Sequence, residues 1–152
     1  MRVAFGTSIL VYAEQAGRGP GEEAKAGTAL DVLGKAAPAG LVLPAQALGE
    51  LYNVLVRKRR VPRDGARDAV AAWVEVATEV RATTPAVLAD ALDLAAEHGL
   101  QVWDAVILAA SAEAGCAYLL SEDLHAGFAH RGCGVANPFA SPLPPRLARL
   151  LS

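Results

Sequence analysis

The chain carries two cysteines, Cys116 and Cys133, in 152 residues. That is too few for a disulfide scaffold, and a reducing compartment is the simpler expectation. Aromatic residues are scarce at 5%, while the 53% apolar share comes mainly from Ala, Leu and Val. This composition disfavours a β-sandwich, which draws on Tyr, Phe, Ile and Thr, and it excludes disorder. No apolar run approaches the ~20 residues that span a bilayer. The segment Met1–Glu14 lacks the small-residue cleavage site of a signal peptide and soon turns polar. The expectation is a cytoplasmic protein with no membrane association. No excess of one charge exists either: 14 Lys+Arg face 16 Asp+Glu, a net charge of −2. Any nucleic-acid binding must therefore use a local patch rather than a global field.

What is present is a core-forming chain of a length that suits one domain, residues 1–152. Arg2–Phe5 is a short apolar run closed by Gly6 and reads as a buried strand. Thr7 or Ser8 then suits the cap of a short helix to Glu14. Gly17, Gly19, Pro20 and Gly21 make 15–22 a loop. A helix is expected over 23–37, ended by Pro38 and Gly40, followed by a strand at Leu41–Leu43. Pro44 opens an amphipathic helix with Leu48, Leu51, Tyr52 and Leu55 on one face. It ends in Arg57-Lys58-Arg59-Arg60, where cations suit the helix C-terminus. Helices are expected over 64–80, 85–98 and 104–114, with strands at 80–84, 117–120 and 133–136 and a short last helix at 146–151. Strands alternating with helices imply an α/β fold: a three-layer α/β/α domain with a short central parallel sheet.

Ligands gather at the carboxyl ends of strands in such sheets. Three acids fall there among apolar neighbours: Glu50 after the second strand, Asp104 opening a late helix, and Asp123 after Leu119-Leu120. Glu122 lies beside Asp123. Carboxylates gathered in apolar surroundings repel one another unless a cation is present. An oxygen-ligated Mg²⁺ or Mn²⁺ resolves that repulsion and activates water for phosphodiester hydrolysis. Each acid also has a plain structural explanation: Asp104 as an N-cap, Asp123 as a turn residue, Glu50 as a solvated helix flank. Other chemistries fare worse. Gly34-Lys35 is followed by Ala36, so there is no phosphate loop. Cys116, His125, His130 and Cys133 lack the paired spacing of a zinc site. No lysine follows Lys58, which excludes a receiver-type phosphorylation site. Arg57–Arg60 with Arg63 and Arg67 reads as a solvated helix end or as an RNA-facing patch.

Five segments in order resemble the PIN-domain family. They are Val3–Tyr12, Leu48–Leu55, Val102–Ser111, Leu119–Leu124 and Val135–Phe139, the last with its Asn137-Pro138-Phe139 turn. Length and tail most resemble the toxin ribonucleases of VapBC toxin–antitoxin pairs. The resemblance implies a divalent-metal-dependent endoribonuclease using Mg²⁺ or Mn²⁺, with Glu50, Asp104 and Asp123 as its acids. Asp104 and Asp123 would be metal ligands, and Ser8, Ser121 and Glu122 would support the site. It further implies a VapB-like antitoxin, an RNA substrate and a homodimer. One position departs: the family places its first metal-binding Asp where this chain has Gly6. Two readings follow. Gly6 marks an impaired form of the nuclease, or the chain is a degenerate, non-cleaving module that binds RNA or antitoxin. A third, local reading is that Gly6 serves only the turn after the strand.

Overall fold

A computed structural model describes residues 1–152. The elements in chain order are β1 (Val3–Phe5), α1 (Thr7–Ala13), α2 (Glu23–Gly40), β2 (Leu41–Pro44), α3 (Ala45–Arg57), α4 (Arg63–Val76), β3 (Glu79–Arg81), α5 (Pro85–His98), α6 (Val102–Glu113), β4 (Tyr118–Leu120), β5 (Ala129–His130), β6 (Cys133–Ala136) and α7 (Pro145–Leu150). The sheet order is β3-β2-β1-β4-β6-β5. Every pairing is parallel except β5 with β6. Helices flank the sheet, as the alternation of strand and helix patterns implies. No helix is long and apolar enough to cross a membrane.

Burial explains why the strands read as unbroken apolar runs. Val3, Ala4, Phe5, Leu41, Val42 and Leu43 are wholly shielded from solvent, because helices cover both faces of a parallel sheet. β1 lies between β2 and β4, with Val3 opposite Leu41 and Phe5 opposite Leu120. α3 turns Ala47, Leu48, Leu51 and Leu55 inward. α5 has the local signals of a well-terminated helix. The Thr84 hydroxyl accepts from Val87 N at 3.2 Å, Pro85 opens the first turn, and Gly99 closes it at φ +68°. A single cluster of 37 buried residues joins sheet and helices.

Several expected boundaries are corrected. Gly6, not Thr7 or Ser8, is the cap residue of α1, and no side chain caps it. Both hydroxyls lie inside the helix and bond across to other segments. α2 continues through Pro38 to Gly40, where a proline in the last turn disturbs little that follows. Pro44 ends β2 rather than lying inside α3. α4 stops at Val76 instead of running to 80, and β3 occupies 79–81. The two-residue β5 was not expected. It adds an antiparallel edge beyond β6.

The basic run after α3 is divided by the fold. The Arg59 side chain is 7% exposed. It donates to the carbonyls of Val11 at 2.7 Å, Glu14 at 2.8 Å and Ala16 at 3.2 Å, and pairs with Glu22 at 3.2 Å. It thereby fastens the 14–22 loop to the end of α3. Trp73 Nε1 adds a bond to Glu14 Oε2 at 2.6 Å. Gly17 sits against this clasp at φ +67°, where a Cβ would fall 2.8 Å from Val61 Cγ2, so only glycine fits. Arg57, Lys58 and Arg60 remain exposed. Replacing Arg59 with Ala strips three part-buried carbonyls of this donor and leaves Glu22 with only its bond from Gly19 N. We expect Arg59→Ala to cost about 2–4 kcal/mol in urea denaturation, with Arg59→Lys recovering only part. Arg57→Ala should stay within about 0.5 kcal/mol.

Candidate active site

The parallel strands deliver the chain to one sheet edge after Phe5, Pro44 and Leu120. Backbone bonds lock this edge: Gly6 N donates to Leu120 O at 2.9 Å, and Ser121 N to Ala136 O at 3.0 Å. The first turns of α1 and the Ser121-Glu122-Asp123 segment therefore lie side by side. Ser8 and Ser121 are buried polar residues here. Ser8 Oγ accepts from Glu122 N at 3.2 Å. Ser121 Oγ accepts from Asp123 N at 3.1 Å and Leu124 N at 3.4 Å. The two serines shape the turn that carries the acids.

Glu50 projects from α3 toward this edge. Thr7 Oγ1 donates to its Oε1 at 3.0 Å, and Gln46 Nε2 to its Oε2 at 2.9 Å. Both carboxylate oxygens are thus oriented. Glu50 is partly buried, so it is not a freely solvated flank. Asp104 is not the N-cap of α6. Gln101 is, and its side chain accepts from Asp104 N at 3.0 Å. The Asp104 carboxylate is left without a capping duty in the helix's first turn.

The charges of the three acids act on one another. The Asp104 carboxyl is held above its ordinary range, chiefly by burial and then by the charges of Glu50 and Asp123. Asp123 is exposed as a residue, yet burial is again the leading cause that lifts its carboxyl. Glu122 and Glu50 add to the rise, while Lys58 and Lys25 oppose it. Each of the three acids is therefore within reach of the others' charge. Glu122 stands differently. Its Oε1 accepts from Tyr12 OH at 3.0 Å and its Oε2 from Lys25 Nζ at 2.8 Å. Lys25 Nζ also lies 4.9 Å over the Tyr12 ring and 5.4 Å over Phe139. Glu122 is already neutralised by a partner.

The donors fit a hard divalent ion in kind, since all are carboxylate oxygens. They fall short in number. No three His, Cys, Asp or Glu residues lie close enough to hold an ion together, and position 6 offers no side-chain oxygen. The zinc alternative fails on the same observation: both cysteines are buried, and His130 bonds Asp90 at 2.8 Å. The backbone does not require glycine at position 6. Its φ is −78° and ψ 172°, extended values open to any residue. The turn thus gives no reason for glycine. A Cβ there would start 3.2 Å from Leu120 O and 3.6 Å from Ser121 Oγ, so a side chain needs a shift of a few tenths of an ångström in the Leu120-Ser121 backbone.

Thr7, Gln46, Tyr12, Lys25 and Lys58 complete the surroundings; the sequence marked Thr7 only as a cap and Lys58 only as part of a basic run, and did not mark the other three. Gln46 had a local signal, standing four residues before Glu50 on the same helix. Lys58 was hidden in its basic run. Tyr12 and Lys25 meet Glu122 from 110 and 97 residues away, which no local pattern reveals.

The acid repulsion has a stability signature. A carboxyl whose folded pKa lies above its unfolded value holds its proton more tightly when folded. Asp104 therefore favours the fold at low pH and opposes it as pH rises upward from the ordinary 3.8. The helix dipole at the first turn works the other way, at under ~1 kcal/mol. We expect burial and two neighbouring charges to prevail. Asp104→Asn should raise the metal-free melting temperature at pH 7 by about 1–3 °C, and the gain should vanish below about pH 3.8. Thermal scans of both proteins across pH check this.

Comparison with known proteins bears on the family and the fold. The PIN domain family model matches residues 5–131. No curated protein sequence matches the chain. Among solved structures, the chain is similar to VapC20 of Mycobacterium tuberculosis, a Sarcin-Ricin loop cleaving toxin. The TM-score is 0.63 at 21% identity, covering 77% of this chain and 86% of that one. It is also similar to a chain of VapBC2 from Rickettsia felis, solved bound to a DNA fragment from their promoter. There the TM-score is 0.55 at 14% identity, covering 80% and 86%. At such identities the likeness concerns the fold. With the family match spanning most of its length, the chain belongs to the PIN-domain family.

Proposed function

We propose that this chain is a VapC-type toxin, an endoribonuclease dependent on Mg²⁺ or Mn²⁺ and impaired in this form by Gly6. The observation that carries the reading is that the Asp104 and Asp123 carboxyls are both held above their ordinary range, by burial first and then by neighbouring acids that include Glu50, where the chain leaves the parallel strands. Asp104 and Asp123 would hold the ion, together with an acid restored at position 6. A bound divalent ion supplies charge neutralisation, polarisation of the phosphate and a more acidic water. The chain's own part is orientation. Thr7 and Gln46 hold both oxygens of Glu50, and Ser8 and Ser121 fix the turn that presents Asp123. With Gly6, the ligand set lacks a donor, and Mg²⁺ leans on few direct carboxylates.

The same reading makes the protein cytoplasmic and a homodimer. It gives the protein a VapB-like antitoxin that lays a helix or extended segment beside the acids through apolar anchors. The VapBC2 neighbour supports that partner class. A second reading is favoured by the missing third donor: a non-cleaving module that binds RNA or antitoxin.

Reverting Gly6→Asp tests both. The revertant should cleave RNA with Mn²⁺ at least about tenfold faster than the parent, equivalent to ~1.4 kcal/mol in the barrier. Asp104→Asn in that background should return the rate to the parent's level. A folded revertant that leaves several structured RNAs intact at millimolar Mn²⁺ defeats the nuclease reading and leaves the binding module.

A further inference from the structure

Beside the acids lies a cleft lined by Thr7, Ser8, Val11, Tyr12, Val54, Lys58, Glu122 and Asp123. Its two acids would repel a phosphate. Glu122 is already matched by Lys25 at 2.8 Å. Lys58 is the one cation lining the cleft, is exposed, and makes no ion pair, whereas Lys25 and Lys35 both do. It stands at the C-terminal end of α3, held by its own N–H to Val54 O at 2.9 Å. Its neighbour Arg59 is consumed by the loop clasp, so the turn presents one lysine to the cleft and one arginine to the interior.

We infer that this cleft is a phosphate subsite for single-stranded RNA, with Lys58 gripping the backbone next to the acids and Tyr12, Thr7 and Ser8 lining its floor. This deepens the nuclease reading and rests on it. The spare charge of Lys58 is what lets an anionic chain approach Asp123, which lines the same cleft. Lys25 does not serve this role, because Glu122, Tyr12 and Phe139 hold it. A phosphate contact is a point-charge interaction, so its loss should appear in the salt dependence of binding.

The probe is a fluorescein-labelled single-stranded RNA 12-mer, titrated by anisotropy against the full chain in EDTA from 20 to 200 mM salt. Lys58→Gln should weaken binding by about three- to tenfold at low salt. It should also reduce the log–log salt slope by about 0.7, the share of one phosphate on a single strand. Lys58→Arg should restore the slope. Arg57→Gln, on the same exposed turn but outside the cleft, should lower affinity less and leave the slope nearly unchanged. An unchanged slope in Lys58→Gln overturns the inference. So does an equal loss in Arg57→Gln, or a parent chain that binds no RNA at the lowest salt. Lys58-dependent binding of polyglutamate without RNA binding also overturns it, assigning the cleft to an acidic peptide. Because no metal or cleavage enters, the outcomes are separable from the Gly6→Asp test. An inactive revertant with Lys58-dependent RNA binding removes the nuclease reading and keeps the subsite.

Discussion

β1 holds the rest of the molecule in place. Val3, Ala4 and Phe5 are fully buried and pair on both sides with parallel neighbours. A strand in that position fixes the direction of β2 and β4, and the shared direction fixes where the chain leaves the sheet. Residues 6, 45 and 121 all emerge at one edge. The polar segments that follow have no choice but to converge, and so do Glu50 and Asp123. The elevated carboxyls of Asp104 and Asp123 follow from this topology, which sets them partly out of water and within range of one another's charge.

Packing made most elements readable from residues alone. β1 and β2 are apolar without alternation because both faces are covered. α3 shows its apolar stripe because one face is covered. α5 carries its own start and stop in Thr84, Pro85 and Gly99. Readability fails where an element depends on contacts distant in sequence. β5 is two residues long and exists only because β6 folds back on it through Gly132 at φ +83°. α4 ends three residues before β3 because Thr78 N bonds Leu41 O at 2.8 Å, drawing the chain into the sheet while its pattern still resembles a helix.

The site shows the same division. Glu50, Asp104 and Asp123 stood out because each is an acid in apolar company, early in a helix or just after a strand. Their roles within the fold did not. Thr7 and Ser8 look like caps for α1, yet their hydroxyls serve Glu50 and the backbone of Glu122. Asp104 looks like the cap of α6, yet Gln101 has that task. Caps are short-range patterns that a sequence displays readily. Hydrogen bonds spanning 43 or 114 residues appear only once the sheet has set the neighbours.

The Arg59 clasp keys the rotational phase of the turn after α3. Successive side chains leave a helix end about 100° apart. Seating one guanidinium among three carbonyls thus dictates which neighbours face solvent. The run of four basic residues looks interchangeable as a string of charges and is not so as a mechanical part. A single-residue deletion ahead of Arg59 would index the turn by one tooth. It would carry a different side chain into a pocket shaped for a five-donor fork and swing the cleft's cation away. Exchanges in this segment preserve the turn only where they leave the key in its slot.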